Sequence, residues 1–290
     1  MCIGSKIQLL CQMFTLNCKG KLVSLQKPLV MGIINATPDS FYKDHLAKEE
    51  NNIFAIAEDM IAAAADILDI GGQSTRPGSI RINAEEEMQR VLPVITAIHQ
   101  RFPAVLISID TYHSKVAAAA VAAGACIVND ISAGNMDDAM IPLVASLQVP
   151  YIFMHMKGSP DTMQQQPHYD DVVKEVLDFF IYKTDECKRA GIKDIIIDPG
   201  FGFGKTISHN FQLLKNLAVF KMLEKPILAG ISRKSTIYKT LGIDVSEALN
   251  GTSVLNTLAL QNGAAILRVH DVKEAKEVVA LTEAYKKTAP

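Results

Sequence analysis

The sequence Ile195-Ile196-Ile197-Asp198-Pro199-Gly200-Phe201-Gly202-Phe203-Gly204-Lys205 joins three isoleucines to an acid and a glycine-rich segment. Isoleucine is enriched in strands, and Pro199 stops the pattern because proline cannot donate to a sheet ladder. The alternating glycines let a ligand approach the backbone closely, and the two phenylalanines offer rings for stacking. The segment predicts a buried strand that carries Asp198 to its carboxyl end, followed by a binding loop.

Two nucleotide-binding motifs resemble this segment, and single residues exclude both. A phosphate-binding loop ending in Gly204-Lys205-Thr206 needs a glycine five positions before Gly204, where Pro199 stands. A dinucleotide fingerprint beginning at Gly200 fails because Lys205 occupies the position of its third glycine. A glycine-rich motif alone is weak evidence of function, so its meaning depends on the rest of the chain.

Length and composition narrow the class of protein. With 290 residues, 49% of them hydrophobic, the chain can fill one barrel-sized domain or two smaller ones. No linker or low-complexity segment divides it, so we expect one domain over residues 1–290. The 29 basic and 31 acidic residues nearly cancel, which argues against binding of nucleic acid through its phosphates. No apolar run approaches the roughly 20 residues of a membrane helix, and residues 1–14 do not read as a signal peptide.

The cysteines predict a reducing environment. They stand at positions 2, 11, 18, 126 and 187, an odd number without a Cys-x-x-Cys pair. This spacing favours reduced thiols over a disulfide framework or a zinc site, so we expect a cytoplasmic protein.

A strand followed by a helix recurs eight times along the chain. Residues 14–25 first alternate apolar and polar around Asn17-Cys18-Lys19-Gly20, which predicts a short N-terminal hairpin. The predicted strands are Leu29–Ile34, Ile67–Ile70, Val105–Ile109, Ala125–Val128, Tyr151–Met154, Ile195–Ile197, Pro226–Ile231 and Ala265–Val269. Helices are predicted near Asn52–Ala65, Ala84–Gln100, from Ser114, and near Asp138–Leu147, Asp171–Ala190, Asn210–Met222, Val245–Gln261 and Lys273–Lys286.

These units predict an α/β fold of the (β/α)8 TIM-barrel type. The strands are continuously apolar, as a parallel sheet covered by helices requires. The seven steps from Asn35 to Arg268 average about 33 residues, close to the spacing of a barrel of about 250 residues. A doubly wound open sheet is the rival, but eight units with one helix each fit a closed barrel better.

Polar residues follow the eight strands, where a barrel of this type builds its site. They are Asn35, Thr75 with Arg76, Asp110, Asn129, His155, Asp198, Lys234, and Arg268 with His270. Any one of them is more often a solvated strand end than a ligand. Their recurrence after every strand favours a site at this end of the barrel.

The residue types indicate a flat nitrogenous ring as the ligand. Asp110, Asn129, Asp198 and Lys234 would offer two carboxylates, an amide and an ammonium. A carboxylate accepts from an amino group beside a ring N–H, and a lysine donates to a carbonyl of the same ring. Met154 would add a soft apolar wall.

Cationic residues at the rim predict a phosphoryl site. They are Arg76, Arg233, Arg268 and His270, and Arg268 and His270 would point to one face of a strand because side chains alternate with a period of two. A charged strand end that merely caps the barrel is the plain alternative. Asn35 would offer a hard oxygen to Mg²⁺, which takes few protein ligands besides waters and phosphate oxygens.

Seven segments resemble the dihydropteroate synthases. They are Asn35-Ala36-Thr37-Pro38-Asp39-Ser40-Phe41, Gly71-Gly72-Gln73-Ser74-Thr75-Arg76-Pro77-Gly78, Asn129-Asp130-Ile131, Met154-His155-Met156, Asp198 to Lys205, Ser232-Arg233-Lys234-Ser235 and Arg268-Val269-His270-Asp271. The match covers nearly the whole chain in order. It implies a transferase of folate biosynthesis, a sulfonamide target, that joins 4-aminobenzoate to 6-hydroxymethyl-7,8-dihydropterin diphosphate and releases diphosphate with Mg²⁺.

The resemblance also implies a role for each residue of the motifs. The pterin would be held by Asp110, Asn129, Met154, Asp198, Lys234 and Arg268; the diphosphate by Asn35, Arg76, Arg268 and His270; and 4-aminobenzoate by Thr75, Pro77, Phe203, Lys234 and Ser235. Asp110, Asp198, Lys234 and Arg268 would be catalytic, and Asn35 would bind Mg²⁺. The family further implies a homodimer formed through the late helices.

Two other functions stay open at the level of sequence. A pterin-binding methyltransferase barrel shares the pocket, although Thr75-Arg76-Pro77 and Ser232-Arg233-Lys234-Ser235 argue against it. A barrel that binds pterin without turnover is the non-enzyme alternative. It is supported by the first loop, where Tyr42-Lys43-Asp44-His45 replaces the usual Ser-Asp-Gly-Gly and displaces the acid to Asp44.

Overall fold

The computed structural model describes residues 14–36, 46–73, 81–158 and 167–288. It opens with an antiparallel hairpin of β1 (Thr15–Cys18) and β2 (Lys21–Ser24). Its two-residue turn holds Lys19 and Gly20 at positive φ, 53° and 89°, as the twist of a tight hairpin requires. The Asn17 side chain accepts from the Gly20 N–H at 2.7 Å and stabilises this turn. The predicted hairpin is confirmed.

Eight parallel strands form one sheet, and Ile197 bridges to Ile227 so that the two sheet edges meet. The strands are β3 (Leu29–Asn35), β4 (Ile67–Gly71), β5 (Leu106–Asp110), β6 (Ile127–Asp130), β7 (Tyr151–Met154), β8 (Ile195–Asp198), β9 (Leu228–Ala229) and β10 (Ile266–Val269). Their order around the sheet is β3, β4, β5, β6, β7, β8, β9, β10. The predicted TIM barrel is confirmed, with a seventh barrel strand shorter than expected.

The helices pack outside the strands. They are α1 (Leu46–Ala62), α2 (Ala84–Arg101), α3 (Ser114–Ala123), α4 (Met140–Leu147), α5 (Val172–Ala190), α6 (Ile207–Lys215), α7 (Ser235–Leu241), α8 (Leu249–Gln261) and α9 (Val272–Lys287). Two predictions need correction. The sixth helix ends at Lys215 and a 3₁₀-helix, Leu217–Leu223, follows it, while the seventh unit holds the additional helix α7, which ends where Gly242 adopts a left-handed φ of 68°.

The barrel interior changes from apolar to polar along its axis. Near the amino ends, Ile67, Leu106, Ile152 and Ile196 belong to one buried cluster with Leu16 and other hairpin residues, so the hairpin closes this end. Side chains two positions further along a strand point to the same face. That next position holds Asp69 on β4, Ser108 on β5, Asn129 on β6, Met154 on β7, Asp198 on β8 and Arg268 on β10. The polar groups therefore gather toward the carboxyl end.

Among the described residues, no helix combines the length and apolar character needed to cross a membrane.

Candidate active site

Strand register pairs four of the predicted ring-binding residues two by two on neighbouring strands. Asp110 of β5 lies opposite Asn129 of β6, and Met154 of β7 lies opposite Asp198 of β8. Asn129 and Asp198 are buried, while Asp110 is slightly exposed at the mouth. The register thus places Asp110, Asn129, Met154 and Asp198 near the carboxyl ends of neighbouring strands.

Arg268 lies deep in this mouth and bridges two acids. Its Nε donates to Asp69 Oδ2 at 2.6 Å, and its Nη2 donates to Asp110 Oδ2 at 2.5 Å. Asn129 Nδ2 donates to the same Asp69 oxygen at 3.0 Å. The sequence predicts Arg268 at the rim; in the structure Asp69 and Asp110 hold its guanidinium, and the side chain is 19% exposed.

Asp69 is the site residue that sequence reasoning missed. It is fully buried, and one of its oxygens binds both Arg268 and Asn129. The residues predicted from the sequence follow the ends of the strands, whereas Asp69 lies two residues before the end of β4. An acid inside a run of isoleucine and leucine was the signal, since buried acids are rare unless paired.

Burial and the opposite charges perturb the titration of these groups. Burial raises the pKa of the Asp110 carboxyl to about 7, although the adjacent Arg268 acts in the opposite direction. Burial would lower the pKa of Arg268, but Asp69 and Asp110 overcome this effect and raise it. Arg268 thus stays charged and is the fixed cation of the mouth.

Asp198 and Lys234 form the second charged pair of the site. Asp198 Oδ1 accepts from the Gly200 N–H at 2.7 Å, and burial raises the pKa of Asp198 against the influence of Lys234. Lys234 Nζ donates to the Phe201 carbonyl at 2.5 Å and lies 4.6 Å from the centre of the Phe203 ring. Burial lowers the pKa of Lys234 to about 8, although Asp198 favours its charged form.

An apolar wall borders the charged groups. Met154 packs with Tyr112 and Ile131 in a small buried cluster, against which Met156 and Phe203 also pack. A cavity of about 240 Å³ lies beside Met154 and Met156, with Ser132 on its polar side. This combination of a thioether wall and a polar edge suits a flat, partly aromatic ligand. Another cavity, of about 300 Å³, lies beside the hairpin and touches none of the predicted site residues.

The predicted phosphoryl end differs from the expectation in two respects. Strand β10 ends at Val269, so His270 is not on the strand; its backbone N–H donates to Ser232 Oγ at 3.2 Å. Desolvation of the ring, with Arg268 nearby, lowers the pKa of the His270 imidazole, although the residue as a whole is exposed. Arg233 is engaged by both oxygens of Asp271 at 2.7 and 2.8 Å, and thus supports the loop.

The remaining predicted residues are placed in part. Asn35 ends β3 and its side chain is exposed at the mouth. Phe203 lies in the glycine-rich loop, and Ser235 is the partly buried first residue of α7. Thr75, Arg76 and Pro77, as well as Asp44 of the first loop, lie outside the described residues. Among the residues that the structure describes, no three acid, histidine or cysteine side chains cluster as a metal site.

A closed parallel barrel with buried acids, a lysine and an arginine at its carboxyl mouth defines a barrel enzyme that binds a cationic or hydrogen-donating ring. The family model described as "Pterin binding enzyme" matches residues 31–270. The chain therefore belongs to the family of pterin-binding enzymes.

Individual relatives are dihydropteroate synthases. The chain is 44% identical to the dihydropteroate synthase of Escherichia coli strain K12 over 92% of its length and 94% of that protein. The solved structure of Xanthomonas albilineans dihydropteroate synthase with 4-aminobenzoic acid is 40% identical, with a TM-score of 0.89, and covers 95% of this chain and 99% of that one. The Yersinia pestis dihydropteroate synthase solved as a sulfonamide drug complex is 38% identical, also with a TM-score of 0.89, covering 95% and 100%.

These findings confirm the resemblance read from the sequence. Within the pterin-binding enzymes, the chain groups with the dihydropteroate synthases, and it is a transferase enzyme.

Proposed function

We propose that this barrel mouth condenses 6-hydroxymethyl-7,8-dihydropterin diphosphate with 4-aminobenzoate, giving 7,8-dihydropteroate and diphosphate. The main support for this site is the set of polar side chains that point into the barrel near the carboxyl ends of the strands. There Asp110 lies beside Asn129 in the strand register, and Asp198 lies beside Met154. The following roles are built on that arrangement.

The pterin ring is held by groups of complementary polarity. Asp110 and Asp198 accept from the ring amino and N–H groups, and Lys234 donates to the ring carbonyl. Asn129 is oriented for this task by its hydrogen bond to Asp69 at 3.0 Å. Met154 lies against the ring face.

Arg268 changes partners when the pterin binds. Its Nη2 donates to Asp110, which is an acceptor that the pterin needs. Donors on the ring displace that contact, while the bond from Arg268 Nε to Asp69 remains as a tether. The freed planar end then stacks on the ring and, with Asn35, Arg76 and His270, binds the diphosphate.

The reaction proceeds by dissociative substitution. As diphosphate departs, the carbon it leaves becomes cationic and conjugated with the pterin ring. The fixed carboxylates Asp110 and Asp198 stabilise that positive charge, and Arg268 stabilises the leaving group. The neutral aryl amine then attacks, so no strong general base is required.

Mg²⁺ would be held at Asn35. Asn35 would offer one hard oxygen at the end of β3, and among the described residues no group of acid, histidine and cysteine side chains is arranged to hold a metal by itself, which fits an ion that arrives with the diphosphate. Bound there, the ion would neutralise charge on the diphosphate oxygens.

4-Aminobenzoate would bind beside Lys234, where Phe203 supplies an aromatic face and Ser235 begins α7. Thr75 and Pro77, which lie outside the described residues, are assigned to the same ligand by the family resemblance alone. The 4.6 Å approach of Lys234 Nζ to the Phe203 ring joins this pocket to the pterin site.

The same proposal extends to the state of the protein. The chain acts as one domain in the cytoplasm, which the buried free thiols of Cys18, Cys126 and Cys187 support. It forms a homodimer through α8 and α9. Val254 and Leu258 of α8 are exposed one turn apart, as are Leu281 and Tyr285 of α9.

The decisive experiment measures diphosphate release with each substrate and Mg²⁺ omitted in turn. We expect release only with all three, and a fall of about 100-fold or more for Asp198→Asn. An unchanged rate in Asp198→Asn would contradict its role in stabilising positive charge. Methyl transfer to a corrinoid protein would support the methyltransferase instead, and a single turnover without labelled product would support a binding protein.

A further inference from the structure

Lys205 is a buried lysine that the proposed chemistry does not use; burial lowers the pKa of its amine to about 7, while Asp198 favours the charged form. Its side chain is 3% exposed. Its Nζ lies 3.0 Å from His155 Nδ1 and from the carbonyls of Gly200 and Phe203, and 3.1 Å from the His155 carbonyl. Four acceptors from two loops therefore surround one ammonium group.

This arrangement is the reverse of a phosphate-binding loop. In such a loop, backbone N–H groups point inward and hold an anion. Here backbone carbonyls point inward and hold the chain's own cation. Gly200, Gly202 and Gly204 adopt φ values of +68°, +85° and +62°, which turn the loop around the ammonium group.

His155 completes the cage as an acceptor. Burial lowers the pKa of its imidazole to about 2, so the ring is neutral. Because an ammonium group can only donate, Nδ1 accepts and Nε2 carries the ring proton. Lys205 consequently ties the loop after β7 to the loop after β8.

The glycine-rich loop around Lys205 contacts Asp198 and Lys234 of the proposed site. Gly200 N–H binds Asp198, the Phe201 carbonyl binds Lys234, and the Phe203 ring lies under Lys234. Asp198 is also fixed by the pairing of β8 with β7, and Phe201 is buried in the main core, whereas Phe203 is only partly buried in the loop beside Lys205. Loss of the Lys205 ammonium group should therefore weaken the binding of 4-aminobenzoate more than the binding of the pterin.

We propose that Lys205 is a positioning residue for 4-aminobenzoate: its ammonium group shapes the glycine-rich loop and thereby places Phe203 and the carbonyl that orients Lys234. This inference rests on the proposed function and adds to it a residue that touches neither substrate.

Replacement of Lys205 by methionine removes the ammonium group and keeps the stem. We expect KM for 4-aminobenzoate to rise at least 10-fold, while Kd for the pterin diphosphate changes less than 3-fold. Lys215→Met, at an exposed position at the end of α6, should leave both constants unchanged. If Lys205→Met does not fold, Lys205→Arg should show the same selective rise, since a planar guanidinium cannot reproduce a tetrahedral donor.

Chemical rescue provides a readout that a merely structural role would not give. In Lys205→Ala, propylammonium should restore KM for 4-aminobenzoate, and tetramethylammonium, which has no N–H donor, should not. A folded variant with the wild-type KM, or an equal loss of affinity for both substrates, would overturn the role of Lys205. An inactive wild-type protein would instead refute the proposed function.

Discussion

Asp69 is a buried carboxylate that positions two residues of the proposed site. Its Oδ2 accepts from Arg268 and from Asn129, the first a cation and the second an amide. Hydrogen bonds to a charged group contribute more than those between neutral groups. The position of both partners therefore depends on the charge of this carboxylate.

Asp69→Asn tests that dependence. We expect the free energy of unfolding to fall by about 2 kcal/mol, because the Arg268 guanidinium loses a charged acceptor in a buried site. Affinity for the pterin diphosphate should weaken at least 10-fold, since both Asn129 and Arg268 lose their orientation. Urea unfolding and isothermal titration measure the two effects. Asp185→Asn, which breaks an exposed ion pair with Arg189, should change stability by less than about 0.5 kcal/mol.

The titration of Asp110 and Lys234 should limit the pH range of pterin capture. In the free protein the pKa of Asp110 is raised to about 7 and that of Lys234 is lowered to about 8. Binding needs Asp110 ionised and Lys234 protonated, so kcat/KM for the pterin diphosphate should fall below about pH 7 and above about pH 8. In Lys234→Arg the alkaline limb should disappear, because arginine does not deprotonate. An alkaline limb that persists in Lys234→Arg would assign it to another group.

The N-terminal hairpin stabilises the barrel at the end opposite the proposed active site. Leu16 is 2% exposed and packs with the lower apolar level of the barrel, whereas Leu22 on the next strand is 72% exposed. The hairpin thus closes the interior that the strands leave open.

Leu16→Ala should separate stability from function. We expect a loss of about 3 kcal/mol in the free energy of unfolding from the cavity left behind, with kcat and KM unchanged at a temperature where the variant is folded. Denaturant unfolding and steady-state kinetics measure the two effects. Leu22→Ala should be nearly neutral in both. A large change of KM in Leu16→Ala would mean that the hairpin communicates with the mouth.

The proposed dimer would form through the exposed apolar side chains of α8 and α9. The two helices pack against each other. Val254 and Leu281 are 52% and 73% exposed. Large apolar side chains grouped on neighbouring helices are typical of a surface covered by another copy of the chain.

Leu281→Arg should dissociate the dimer, because it places a charge in a desolvated contact. Sedimentation velocity should give twice the 31.6 kDa chain mass for the wild type and the chain mass for the variant. Tyr182→Arg, at an equally exposed position on α5, should remain dimeric. A wild-type monomer at micromolar concentration would contradict the proposal.

The architecture follows from the sequence. Continuous apolar runs identify strands buried on both sides, and a strand's period of two places the polar side chain at its carboxyl end on the inner face. That is why the sequence predicts Asp110, Asn129 and Asp198 as one group; Lys234 follows its strand by five residues and is the N-cap of α7. The division of the seventh unit into α7 and α8 was not predicted, because a helix of seven residues carries too little periodicity.

The pairing of oppositely charged side chains, in contrast, can be read only from the folded chain. Arg268 pairs with Asp69, 199 positions away, and Arg233 pairs with Asp271, 38 positions away. Such pairing depends on barrel closure, which brings the last strand beside the first, and no local pattern records it. For the same reason Lys205 looked like part of a phosphate loop in the sequence, while in the folded chain the carbonyls of its own loop surround it.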